Sequence, residues 1–120
     1  MDVKALSWLA VVSEDSAAWR MLATATLGFQ LAAETDGYLA FAMPGGGFFE
    51  VYNARGVPPY GYNDGIAVGF AVDDIRAAST ELADAGCELL GEITRLEEYG
   101  YAFRHFRGPD GRVYGLNEQK

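Results

Sequence analysis

The second half of this chain repeats the first, and that repeat restricts the folds open to 120 residues. In the first half Trp8 stands seven residues before Asp15, and Pro44 stands six before Glu50. In the second half Ala67 stands seven before Asp74, and Pro109 six before Gly115. Between these marks, Gly28-Phe29-Gln30-Leu31-Ala32-Ala33-Glu34 answers Gly86-Cys87-Glu88-Leu89-Leu90-Gly91-Glu92. Two weakly similar modules of about sixty residues can hold a shared site between them.

Each module reads as a strand, a helix and three strands. Residues 3–12 are largely apolar, with β-branched and aromatic members, as in a strand. Ser13, Glu14 and Asp15 offer helix caps, Ala18, Leu22 and Ala25 recur at helical spacing, and Gly28 is the stop. Trp19 lies off that stripe, where it suits a subunit contact or half exposure. Residues 29–34, 38–43 and 48–53 are the next strands, with turns at Thr35-Asp36-Gly37 and residues 44–47. In the second module residues 66–72 form a strand, and Asp74 caps a helix carrying Ile75, Ala78, Leu82 and Ala85 up to Gly86. Strands follow at 87–93, 99–106 and 112–117, the last after the tight turn Gly108-Pro109-Asp110-Gly111. The expected organisation is one α+β domain over 1–120, with module 1 at 1–53, a connector at 54–64 and module 2 at 65–120.

Composition removes several function classes. Half of the residues are hydrophobic, enough for a real core. The net charge of −8 argues against a nucleic-acid partner, which needs a basic face. The apolar stretch at 5–12 is too short to span a bilayer and has no signal-type cleavage region, so we expect no membrane partner and a cytoplasmic location. The single cysteine, Cys87, excludes an intrachain disulfide and reads as a small hydrophobe.

The plan resembles the glyoxalase, bleomycin-resistance and extradiol-dioxygenase (vicinal oxygen chelate) superfamily. The resemblance rests on Val11-Val12-Ser13-Glu14-Asp15, Leu27-Gly28-Phe29, Phe70-Ala71-Val72-Asp73-Asp74 and Gly108-Pro109-Asp110-Gly111, in that order and at those intervals. The chain departs from the pattern at Leu22-Ala23, where an aromatic pair is usual, and at Gly108, where Asp is usual. The resemblance implies two tandem βαβββ modules whose mostly antiparallel sheet curls into a cup, with helices on the outer face. It also implies a homodimer, which exposed strand edges favour.

In metal-dependent members four positions on the first and last strands of each module bind the metal. Here the resemblance places them on Trp8, Glu50, Ala67 and Gly115. Only Glu50 is a good ligand. The chain also has one histidine, His105, whereas a non-haem iron triad takes two and a carboxylate. We therefore expect no metal and no cofactor.

Side-chain alternation sends Trp8, Ala10 and Val12 into the cup, together with Ala67, Gly69 and Ala71. On the fourth strand Phe48, Glu50 and Tyr52 share a face; on the last, Val113, Gly115 and Asn117 do. Tyr60 and Tyr62 of the connector edge the site. The expected lining is aromatic walls, a small-residue side that leaves space, and one acid. Ligand contacts are assigned to Trp8, Phe48, Glu50, Tyr52, Tyr60, Tyr62, Ala67, Gly69, His105 and Gly115. Glu50, in an apolar run, is hard to explain as filler, because a buried carboxylate needs a partner; Arg104 and Arg107 are available for a purely structural pairing. This lining suits sequestration of a flat, partly aromatic small molecule whose cationic or hydrogen-bond-donating group pairs with Glu50, as the resemblance to bleomycin-resistance proteins implies. The alternative is a metal-free enzyme of isomerase or lyase type, with Glu50 as general acid or base and His105 assisting.

Overall fold

The computed structural model describes residues 1–120. The first module contains β1 (Val3–Val12), α1 (Ser16–Met21), a π-helical turn (Leu22–Thr26), β2 (Gln30–Glu34), β3 (Tyr38–Ala42) and β4 (Phe48–Tyr52). The second contains β5 (Ile66–Val72), α2 (Ile75–Asp84), β6 (Glu88–Leu96), β7 (Tyr101–Arg107) and β8 (Val113–Gln119). The order is βαβββ twice, an α+β plan. No helix is long and apolar enough to cross a membrane.

The chain packs as two units, residues 9–67 and residues 1–8 with 68–120, so β1 contributes to both. In the first of these units β2, β3 and β4 form an antiparallel meander. Leu39 pairs with Val51 and Phe41 with Phe49, which puts four large apolar residues on one face. They bury against Ala23 of the π-turn, and Leu9, Val11, Trp19, Phe29 and Met43 pack around them. Full burial of a residue such as Phe41, which has no exposed surface, contributes about 1.5–3 kcal/mol. The alternation leaves Phe48, Glu50 and Tyr52 on the opposite, half-buried face of β4.

One expectation for this helix is corrected. Leu27 N–H bonds to the Leu22 carbonyl and Phe29 N–H to the Ala23 carbonyl, wider rings than an α-helix makes. Ala23 is buried while Ala18, Leu22 and Ala25 are exposed, so the inner face runs through Trp19 and Ala23, one position on from the expected stripe. Trp19, one α-turn before Ala23, is half-exposed, one of its two expected placements, and packs against this core: its ring lies 5.2 Å from that of Phe49.

In the other unit β5 runs parallel to β8, and β8–β7 and β7–β6 are antiparallel. Here α2 follows its sequence pattern. Ile75 and Ala78 are buried with Val72, Ala102, Phe106 and Leu116, and Leu82 packs beside them. Asp74 caps the helix by accepting from Ala77 N–H at 3.0 Å, and the buried Glu118 accepts from Ile75 N–H at 2.8 Å. Gly86 ends the helix at φ +94°, a conformation that side chains with a Cβ disfavour. β6 is longer than expected because a bulge between Leu90 and Thr94 absorbs Gly91 without ending the pairing with β7.

Candidate functional site

The residues expected to line the site fall into two groups. Trp8, Gly69, His105 and Gly115 come together in the unit formed by residues 1–8 and 68–120. Gly69 pairs with Gly115 across β5 and β8, and Gly115 with His105 across β8 and β7. The Trp8 indole lies over the two glycines. A Cβ on Gly69 would come within 2.9 Å of Trp8 Cε3, and a Cβ on Gly115 within 2.9 Å of the same atom. The space that the glycines leave is thus filled by this ring rather than left open. The ring also stacks on His105, with centroids 5.2 Å apart and planes 18° apart.

Trp8 is 5% exposed and His105 6%. Burial pushes the His105 imidazole down to about 4, so it is neutral at neutral pH. Phe103 lies against it as well, with centroids 5.5 Å apart.

The second group belongs to the unit of residues 9–67. Tyr52 donates its hydroxyl to Glu50 Oε1 at 2.8 Å. The Tyr62 ring meets Tyr52 edge-on at 5.1 Å, and the Tyr38 ring stacks on Tyr52 at 5.3 Å and 19°. Burial, then the Glu50 charge and Tyr62, push the Tyr52 hydroxyl far above the ordinary phenol range, so it stays a protonated donor. Tyr62 is buried, whereas Tyr38, Glu50 and Tyr52 are half-buried. Phe48 shares their face of β4. Tyr60 is half-buried in the connector, and burial raises its hydroxyl pKa. Ala67 is buried at the start of β5.

Local structure holds this group in place. Asn53, next to Tyr52, donates its backbone N–H to the Gly37 carbonyl at 3.0 Å and its side-chain amide to the Asp36 carbonyl at 2.8 Å. Gly37 and Gly56 pass so closely that a Cβ on Gly37 would lie 2.6 Å from Gly56 Cα. Tyr38 is a member of this group that the sequence pattern did not single out. Its signal was the β3–β4 hairpin register, which sets Tyr38 opposite Tyr52.

The residues do not fit a resident metal. No group of three or more His, Cys, Asp or Glu side chains is placed to hold an ion. Of the four positions singled out by resemblance, Trp8, Ala67 and Gly115 offer no useful side-chain donor.

A search of curated proteins finds no match. Solved structures share the fold. Methylmalonyl-CoA epimerase from Mycobacterium tuberculosis aligns with a TM-score of 0.74 and 18% identity, over 98% of this chain and 89% of that one. A Mn(II)-bound glyoxalase from Novosphingobium aromaticivorans gives 0.73 and 17%, over 97% of this chain and 39% of that one. A glyoxalase/bleomycin resistance protein/dioxygenase superfamily member from Vibrio splendidus 12B01 gives 0.64 and 14%, over 98% and 100%. Sequence and fold agree: the model of the glyoxalase/bleomycin resistance protein/dioxygenase superfamily matches residues 5–113, and this chain belongs to that superfamily.

Proposed function

We propose that this protein is a metal-free binder of the bleomycin-resistance type, which sequesters a flat, partly aromatic small molecule carrying a positive charge. The observation that carries the reading is the Glu50–Tyr52 hydrogen bond at 2.8 Å, set among the rings of Tyr38 and Tyr62. Aromatic faces attract cations by about 0.5–2 kcal/mol, and a carboxylate beside them adds a charge-assisted partner. Phe48 and Tyr60 extend the aromatic surface. In this reading Trp8, Gly69, His105 and Gly115 are packed framework, because the indole that covers the glycines is itself buried.

A second reading is an enzyme in which Glu50 is general acid or base. The same hydrogen bond favours it, since a half-buried carboxylate held by a phenol is a positioned proton carrier. One experiment separates the two. The protein is screened against aromatic metabolites and antibiotics, scoring both binding and product, and repeated with Glu50→Gln. A binder loses affinity for its cation in the variant and forms no product in either protein. An enzyme loses turnover and keeps much of its binding. No hit in either protein would count against both readings.

We also propose a homodimer in the cytoplasm, with no nucleic-acid or membrane partner. Exposed Leu31 on the edge strand β2 and exposed Met21 and Leu22 before it support a self-contact.

A further inference from the structure

Seven arginines are spread over a chain of net charge −8, and three of them, Arg76, Arg95 and Arg104, line one groove between α2 and strands β6 and β7. Its volume is about 450 Å³, within the range of small-molecule sites. Helical spacing brings Arg76, Ser79 and Thr80 to the groove side of α2. On the strand side, Leu90 pairs with His105 and Thr94 with Phe103, so Gly91, Glu92 and Ile93 stand opposite Arg104 alone. Such bulges re-aim side chains.

The three guanidiniums are lightly committed. Arg104 donates Nε to the Gly91 carbonyl at 3.0 Å, which ties it to the bulge and leaves its terminal amino groups as donors. Arg95 reaches Glu118 only at 4.0 Å, and Glu118 already pairs with Lys120 at 3.4 Å. Arg76 takes part in none of the ion pairs. Ser79, 3% exposed, lines the same groove, and its Oγ has no hydrogen-bond partner. A buried hydroxyl left without a partner costs about 1–3 kcal/mol, and so calls for an explanation.

We infer that this groove binds a phosphate monoester. Three guanidiniums against one lining carboxylate, Glu92, leave two positive charges, which match the dianion. Guanidinium forks fit phosphate oxygens, Ser79 Oγ–H supplies a neutral donor, and Leu89 and Ile93 form an apolar wall for the organic group.

The probe is phenyl phosphate, titrated at about pH 8 where it is dianionic, against amide chemical shifts of the full chain. Phenol is the neutral control. The expected shifts fall on α2, the β6 bulge and Arg104, weaken with added salt and are absent with phenol. Arg76→Gln, at an exposed position without an ion pair, should weaken binding about tenfold, and Ser79→Ala by about threefold or more. Three results would overturn the inference: no shifts in the groove at millimolar probe, the same shifts with phenol, or an unchanged affinity in Arg76→Gln. An unchanged affinity in Ser79→Ala would overturn the role given to the hydroxyl.

Discussion

Gly115→Ala tests the packing of Trp8 at a single methyl group. The added Cβ would lie 2.9 Å from Trp8 Cε3 and 3.1 Å from Cζ3, well inside the roughly 3.5–4.0 Å of an ordinary carbon contact. The ring has little room to yield, being 5% exposed and stacked on His105. Overpacking of this kind costs about 1–3 kcal/mol, against the gain that replacing a strand glycine otherwise brings. Gly45→Ala is the control, because nothing lies within 4 Å of its added Cβ; it should stay within about 0.5 kcal/mol of the parent. Trp8→Phe removes the benzo edge that the new methyl meets. In that background Gly115→Ala should cost at least about 1 kcal/mol less, a coupling that a double-mutant cycle resolves. Urea unfolding followed by circular dichroism reads each value from the midpoint at constant slope. A Gly115→Ala cost equal to that of Gly45→Ala, or equal in the two Trp8 backgrounds, would refute this packing.

Other expectations concern charge, caps and assembly. Burial holds the His105 imidazole at about 4 against an ordinary 6.5, so the folded state resists protonation. About 3 kcal/mol of stability, fully present above pH 6.5, should be lost as pH falls towards 4. The single imidazole resonance followed by NMR should titrate near the lower value; a midpoint near 6.5 would contradict its burial. Asp74→Ala should cost about 1 kcal/mol in the urea midpoint by removing the cap on Ala77 N–H, and Asp74→Asn should restore most of it. Light scattering at micromolar concentration should give the mass of a dimer, and a monomer would contradict the proposed self-contact.

Much of the fold was legible because local rules and tertiary packing agree here. β5 occupies Ile66–Val72 as its apolar run predicts, Asp74 caps α2, and β4 alternates with Phe49 and Val51 inward. The misses occur where sequence spacing carries no information. The inner face of the first helix runs through Trp19 and Ala23, one position on from the spacing of Ala18 and Leu22. Strand alternation indicated which face carries Gly69 and Gly115, but not that the Trp8 rotamer would fill the space above them. Tyr38 lay hidden in a hairpin register rather than in a motif. The arginine groove depends on a bulge that no run of residues announces.

The central claim is that Glu50 with Tyr38, Tyr52 and Tyr62 recognises a flat aromatic cation. The most direct measurement compares N-methylquinolinium with neutral quinoline at neutral pH by amide chemical-shift titration. The cation should bind with shifts on β3, β4 and the segment carrying Tyr62, quinoline should bind about tenfold more weakly, and Glu50→Gln should shrink the difference to the part that the aromatic faces supply. Equal binding of the two probes, or a preference undiminished in Glu50→Gln, would contradict this recognition.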